Sequence, residues 1–246
     1  MPSKGFAGRH GVMLSLIGII ATLWLAVTGK LDLYIHPRYV PFTVAMIFIA
    51  ASASLAGFLT APAGNYHPDR EKPQSRLRAA GTLLLVSAAI IGLLLLPPTT
   101  LGSNAAKQRD LNVSGTLSKY QTSTLVDEDP ATFNIRDWAS LLRYSPGDAY
   151  FTKKTATITG FVTADKNDPT NIFYVTRFVV TCCTVDAQPV GVPVRLPNWQ
   201  KLYKPDSWIT VSGHFTPNPG PSSGPHLLLN SPQTAATTQP PQPYVY

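Results

Sequence analysis

The chain has 246 residues, of which 44% are hydrophobic and 13% are charged, and its formal net charge is +7. These averages hide two unlike halves: residues 1–97 hold eight basic and three acidic residues, whereas residues 98–246 hold twelve and ten. Basic charge beside long apolar runs is typical of a membrane orientation signal and argues against a nucleic-acid surface as the reason for the charge.

Three apolar segments without charges are long enough to cross a bilayer: Val12–Thr28, Val40–Leu59 and Ala79–Leu96. As helices they would measure roughly 25 to 30 Å, which is close to the hydrocarbon thickness. One such segment could be a buried helix of a soluble protein. Three in succession, each bounded by charged loops, predict a membrane domain of three transmembrane helices over residues 1–97.

The flanking charges predict the orientation of these helices. Lys4 and Arg9 precede the first segment, and the loop between the second and third carries four basic residues, so both belong in the cytoplasm. The loop between the first and second segments has only two, partly offset by Asp32. We therefore expect a multi-pass protein with a cytoplasmic N-terminus and an extracytoplasmic C-terminal part. A cleaved signal peptide in place of the first segment would leave the C-terminal part outside as well.

The membrane segments themselves offer little chemistry. They contain no charge of the kind that proton relays and ion pathways use, and three uncharged helices are too few for a transport path. In the outer loop, His36, Pro37 and Arg38 could line a substrate entrance or a partner surface, or could simply form a polar turn between helices. The sequence therefore favours an accessory subunit over a complete carrier.

The outer half divides by composition. Residues 98–132 are polar and lack apolar periodicity, so we interpret them as a flexible linker. Residues 133–231 begin with a short helix capped by Asn134 and continue with five short runs rich in β-branched and aromatic residues. They predict a small all-β, OB-like barrel with one flanking helix, or alternatively a half-open β-sandwich. Residues 232–246 are proline-rich and are predicted to be a disordered tail.

Cys182 and Cys183 are the only cysteines of the chain, and they are adjacent. Successive side chains of a strand point to opposite faces, so both thiols can serve one site only where the strand bends. Three interpretations stay open: a site for zinc or a similar thiophilic ion formed with Asp186 and His214, a dithiol that cycles to a vicinal disulfide, or packing without chemistry.

The pattern R-F-x-x-x-C-C-x-x-D-A-Q-P-V-G runs from Arg177 to Gly191 and includes Gln188 and Pro189. With YIHPRYVPF in the outer loop and WITVSGHFT downstream, it resembles the YcgQ-like bacterial membrane proteins, which are described as permease subunits. The resemblance implies a location in the bacterial cell membrane and a separate multi-span permease of the YcgR or YraQ type as the partner.

Two functional hypotheses follow. The first is an accessory subunit of a membrane permease whose outer β domain binds or senses a thiophilic metal. The second is an envelope thiol-redox or protein-interaction module without a transport role. Enzyme signatures such as a P-loop, G-x-S-x-G or H-E-x-x-H are absent from the sequence, so we expect no enzyme. Nucleic-acid binding is disfavoured because the outer half carries little net charge.

Overall fold

The computed structural model describes residues 4–60, 99–113, 117, 122, 124–144, 147–151, 154–220 and 225–246, with five isolated positions between 81 and 92. The chain forms two compact units, Met1–Thr99 and Thr100–Tyr246. Each unit has its own internal contacts and is described by itself.

The first unit contains two long helices, α1 (Lys4–Val27) and α2 (Val40–Thr60), which contact each other. Within the described residues, one helix is long and apolar enough to cross a membrane: Pro37–Gly57, with a mean hydropathy of 1.9 and 6% of its residues buried. In α1, the stretch whose side chains are described, Ser15–Val27, forms a shorter apolar helix. The third predicted segment lies outside the described residues apart from isolated positions. The three-helix membrane domain therefore stays a prediction.

The second unit is built on a five-stranded barrel. Its strands are β1 (Thr155–Ala164), β2 (Ile172–Val179), β3 (Gln188–Arg195), β4 (Trp208–Pro217) and β5 (Leu227–Ala236). A sixth strand of two residues, β6 (Tyr244–Val245), pairs with β2. The order β1-β4-β5-β3-β2, closed by pairing of β2 with β1, leaves no open edge between the five. All of these pairs are antiparallel except β3 with β5. The predicted five-stranded barrel is confirmed.

Two glycines allow the strands to coil tightly enough to close the barrel. A Cβ on Gly160 would lie 2.5 Å from the carbonyl oxygen of Thr176, at the point where β1 turns from β4 towards β2. A Cβ on Gly213 would lie 2.7 Å from the carbonyl oxygen of Asn230, where the register of β4 against β5 is irregular. Only a residue without a side chain fits at either position.

The helix α4 (Ile135–Tyr144) packs on the barrel, as the sequence predicted. The Asn134 side chain accepts hydrogen bonds from the N–H groups of Arg136 and Asp137, and the Asp137 carboxylate accepts one from the Asn134 N–H. This reciprocal cap fixes the helix start. Trp138 and Leu141 are completely buried and join the core inside the barrel.

The segments predicted to be a flexible linker and a disordered tail are packed against the barrel where the structure describes them. The linker forms a short helix α3 (Ser103–Lys107), in which Ala106 is buried. In the tail, residues 232–236 continue β5 and residues 244–245 form β6 beside β2. The sequence did not indicate these packed parts, because neither segment has apolar periodicity. Each instead docks through a few side chains on a surface that the barrel provides.

Candidate functional site: the dithiol turn

Both cysteines lie in the turn that connects β2 to β3, residues 180–187, which we call the dithiol turn. Its two ends are anchored, because Val180 and Ala187 are buried. Its tip projects outwards: the Cys182 side chain is exposed, the Cys183 side chain is half-buried, and Val185 is 84% exposed. The strand therefore ends before the cysteines, as expected from the sequence, and the chain bends at them.

Asp186 holds this bend in place. Its carboxylate accepts hydrogen bonds from the N–H groups of Cys182 (2.8 Å), Thr181 (3.2 Å) and Cys183 (3.4 Å). Its own N–H donates to the Cys183 carbonyl oxygen at 3.1 Å. Burial raises the pKa of Asp186, but the hydrogen bonds outweigh burial and hold the pKa below its usual value. The carboxylate thus acts as a backbone cap of the turn.

The bend brings the two thiols together. The Cys182 Sγ donates to the Cys183 Sγ across 3.5 Å, and both thiols are free. Hydrogen bonds from the Val185 N–H, the Cys182 thiol and the Asp186 N–H lower the pKa of Cys183. Hydrogen bonding to Cys183 and to Asp186 raises the pKa of Cys182 to about 11. One sulfur of the pair is therefore the better nucleophile and metal ligand, and the other retains its proton.

His214, the histidine of the predicted metal set, makes other contacts, and so does His226. The His214 Nδ1 on β4 lies 3.3 Å from the Thr155 Oγ1 and 3.4 Å from the Lys154 carbonyl oxygen. The His226 Nε2 lies 3.0 Å from both carboxylate oxygens of Asp148. Among the described residues, no group of three or more His, Cys, Asp or Glu side chains could hold a metal ion. The predicted set of Cys182, Cys183, Asp186 and His214 does not form one group in this structure.

Arg177, the first residue of the motif, contacts the C-terminal tail. Its Nε donates to the Pro243 carbonyl oxygen at 3.0 Å, and its Nη2 donates to the Gln242 carbonyl oxygen. Its guanidinium lies over the Trp208 ring, 5.7 Å from the ring centre. Burial lowers the pKa of Arg177 from its usual value. These contacts make Arg177 an anchor for the tail.

The last residues of the motif bind the linker. Asn112 donates its backbone N–H to the Pro189 carbonyl oxygen at 3.1 Å. Its side-chain amide makes two bonds of 2.8 Å with the N–H and carbonyl groups of Gly191, much as a neighbouring strand would. Gln188 pairs with Val179 at the start of the β2–β3 ladder. The motif residues on both sides of the dithiol turn are therefore structural.

Sequence reasoning missed three residues that complete this region. Asn112 has a left-handed backbone with φ 57°, a conformation that asparagine tolerates, but its sequence context carries no signal for it. Arg109 donates to the Ala187 carbonyl oxygen and lies over the Phe178 ring. Tyr244 is buried in a small second core, which we call the motif core. Its buried residues are Ala106, Phe161, Phe178, Val180, Ala187 and Tyr244.

The residues His36, Pro37 and Arg38 form a turn between α1 and α2. The His36 Nδ1 accepts a hydrogen bond from the Arg38 N–H at 3.1 Å and so caps a 3-10 turn that begins with Pro37. The Arg38 guanidinium stacks on the Tyr39 ring and donates to its hydroxyl at 2.9 Å. These contacts fit the interpretation as a local turn; a role at a substrate entrance stays a prediction.

Comparison with known proteins points to one family. Residues 11–120 match the DUF1980 N-terminal domain, and residues 137–246 match the DUF1980 C-terminal domain. No curated protein and no solved structure matches the chain. The two matches follow the order of the two units and together cover most of the sequence, including the dithiol turn and the docked tail. The chain therefore belongs to the DUF1980 family.

Proposed function

We propose that this protein is an accessory subunit of a membrane permease and that its barrel presents the dithiol turn, outside the cytoplasm, to a thiophilic metal ion that is the cargo. The observation that carries the proposal is the geometry of the turn: two free thiols lie 3.5 Å apart on an exposed tip that Asp186 holds in shape. A binding role for the barrel is in keeping with its strand order, which is that of the OB type.

The separation of the sulfurs suits a shared ion. Two thiolates at about 2.3 Å from a tetrahedral zinc-like ion lie about 3.8 Å apart, so a small rotation of either thiol is enough for both to bind. Cys183 has the lowered pKa and would bind first, and the bound ion would then displace the proton of Cys182. Because Asp186 is engaged with three N–H groups, the turn supplies two ligands and leaves the other positions of the ion for a partner.

An ion held by two sulfurs exchanges faster than one in a closed site of four protein ligands. Fast exchange suits a subunit that passes an ion to another protein. The proposed partner is a separate multi-span permease of the YcgR or YraQ type. The apolar, exposed α2 supports membrane anchoring, since side chains such as Phe42 and Ile49 are at least 60% exposed and would face lipid or another helix.

The proposal is tested first by purification of the tagged full-length protein from native membranes in mild detergent. We expect a multi-span permease to copurify.

We then expect the purified protein to bind one zinc ion per chain, and to lose that ion when Cys182→Ser and Cys183→Ser are combined. Thr184→Ser, in the same turn, is the matched control and should leave zinc binding intact. Zinc that persists in the double variant would contradict the metal site. Metal content that is unchanged on deletion of this gene and of the permease gene would contradict the transport role.

The second candidate is a thiol-redox module, which the opposite pKa shifts of the two cysteines favour. In this chemistry, the Cys183 thiolate attacks a disulfide of a partner protein, and the partner's first sulfur leaves as a thiolate. Cys182 then loses its proton and attacks the Cys183 sulfur, which releases the partner's second thiolate. The partner gains two electrons and the turn becomes a vicinal disulfide.

Mass spectrometry of the full-length protein separates the two candidates. Reversible loss of about two daltons across Cys182–Cys183 in a glutathione redox buffer indicates the redox module. A metal adduct that requires both thiols, without disulfide formation in the same buffer, indicates the metal-binding subunit.

A further inference from the structure

The tail segment, residues 239–246, is bonded to the edge of β2. Tyr244 and Val245 pair in parallel with Phe178 and Val179, and Arg177 holds the two preceding carbonyl groups. Tyr244 and Val245 are both buried. The tail thus occupies the edge that β2 exposes after its pairing with β1 ends at Thr176.

The same tail holds the leading segment, residues 100–112, through which the chain enters the barrel unit. The Leu101 N–H donates to the Tyr244 hydroxyl at 3.1 Å, and the Thr100 hydroxyl donates to the Gln239 side-chain oxygen at 3.0 Å. Leu101, Ala105 and Ala106 pack on the motif core, to which Tyr244 contributes. Both termini of the unit therefore meet at one small set of contacts, and the leading segment is held in addition by bonds of Ser103 to Asp206 and of Asn112 to Gly191.

The tail also contacts the base of the dithiol turn. The Val180 N–H donates to the Val245 carbonyl oxygen at 3.0 Å, and the next N–H along the chain, that of Thr181, donates to Asp186. Arg109 of the leading segment holds the other end of the turn at the Ala187 carbonyl oxygen. The tail segment and the leading segment thus fix the two ends of the loop that carries Cys182 and Cys183.

From this arrangement we propose that the tail segment is a latch, whose docking helps to hold the leading segment on the barrel and sets the shape of the dithiol turn. The inference concerns regulation of the site in the proposed function. Yet the latch is defined by contacts within this chain and is tested without metal or partner. Because coupling is reciprocal, any ligand that reshapes the turn also shifts the docking of the tail and of the leading segment.

The test compares the full-length protein with a truncation that lacks residues 242–246, in detergent, by hydrogen exchange. Each lost hydrogen bond lowers the equilibrium constant for local closure by up to about tenfold, so we expect the amides of Leu101 and Ala106 to exchange at least about tenfold faster. The amides of Cys182 and Cys183, which donate to Asp186, should also exchange faster, because Val180 no longer fixes the base of the turn. The amides of β4 and β5 should retain their protection.

A finer variant guards against a truncation that fails to fold. Tyr244→Phe removes only the hydroxyl that accepts from Leu101, and should speed exchange at Leu101 by about fivefold without loss of β4 protection. Tyr203→Phe, which removes a hydroxyl bonded to Thr234 at 2.9 Å elsewhere on the barrel, is the matched control and should leave Leu101 unchanged. Unchanged exchange at Leu101 in Tyr244→Phe would overturn the latch. Faster exchange at Leu101 and Ala106 in the folded truncation, with unchanged exchange at the Cys182 and Cys183 amides, would overturn the coupling of the latch to the turn.

Discussion

The barrel core and the motif core are built by different parts of the chain. Alternate residues of the strands fill the barrel core, as with Ile158 on β1 and Ile209 and Val211 on β4, and α4 adds Trp138 and Leu141. The motif core takes one or two residues from each of five places: α3, β1, β2, the β2–β3 connection and β6.

The difference shows where stability and function lie in this unit. The barrel core includes Leu117, Leu125 and Val245 but is formed mainly by five strands and one helix that close on one another, so most of it should open only when the whole unit unfolds. The motif core loses Ala106 and Tyr244 when the leading and tail segments undock, and its Val180 and Ala187 flank the exposed thiols. Local opening should therefore start at the motif core and leave the barrel folded.

The largest expected effect is that of Trp138→Ala in the barrel core. Trp138 has no exposed surface and packs against Phe133 and Phe215, with ring centres 5.2 and 5.3 Å away. Its truncation should lower the free energy of unfolding by about 3 to 5 kcal/mol, measured by denaturant unfolding of the barrel unit in the full-length protein. Trp208→Ala, at the rim of the motif core, should instead expose the tail and leave strand amides protected. Equal global destabilisation by both variants would remove the distinction between the cores.

Gly160→Ala should have the next largest effect, because it adds volume where two strands cross. The new Cβ would lie 2.5 Å from the Thr176 carbonyl oxygen, which is backbone and has little freedom to move. We expect a loss of about 1 to 3 kcal/mol in the free energy of unfolding, seen as a lower unfolding midpoint. Gly220→Ala is the control, since its Cβ would meet a side-chain atom, the Asn218 Oδ1, at the longer distance of 3.1 Å. If the Gly160→Ala variant has the same free energy of unfolding as this control, the strands around Gly160 can move apart to accept a methyl group, and the expected close contact is not limiting.

Sequence reasoning could predict the barrel core and could not predict the motif core. Period-two alternation, strand glycines and the Asn134 cap are local patterns, and together they predicted five strands, a barrel and the helix α4. Docking of Asn112 on Gly191, or of Tyr244 on Phe178, depends on surfaces that exist only after the barrel has formed. Polar and proline-rich composition was therefore interpreted as disorder.

The site was predicted in part for the same reason. The bend at Cys182 and Cys183 could be inferred from the end of the apolar run and from the polar residues that follow. The groups that Asp186 binds could not be inferred, because a carboxylate near two thiols is equally compatible with metal binding and with capping of backbone N–H groups. In the structure, Asp186 caps backbone N–H groups. The position of His214 could not be inferred either, because it depends on the strand register. In the folded barrel, His214 pairs with Thr155 across β1 and β4, and β6 pairs with the edge of β2.

Asn112→Gly should open the motif core without unfolding the barrel. Glycine accepts the left-handed backbone at this position, so the variant removes only the amide that bonds both polar groups of Gly191. We expect a local loss of about 1 to 3 kcal/mol, measured as faster hydrogen exchange in residues 100–112 and at Gly191. Asn112→Ala should lose about 1 kcal/mol more because it strains the backbone. Equally faster exchange in β4 and β5 would mean that the two cores open together.

Mild acid should produce the smallest effect, confined to the dithiol turn. The pKa of Asp186 is lowered from its ordinary 3.8 by hydrogen bonds that outweigh burial, so its contribution to stability is complete above pH 3.8 and is lost as the pH falls through the lower folded value. The protection of the Cys182 and Cys183 amides against hydrogen exchange, after correction for intrinsic rates, should therefore fall below about pH 4. The protection of the β4 amides should stay constant over the same range. The Asp186→Asn variant keeps one acceptor oxygen but cannot titrate in this range. In this variant, the protection of the Cys182 and Cys183 amides should be lower than in the unchanged protein and independent of pH. A pH response that persists in Asp186→Asn would assign the acid sensitivity to another group and leave Asp186 without a part in holding the thiols together.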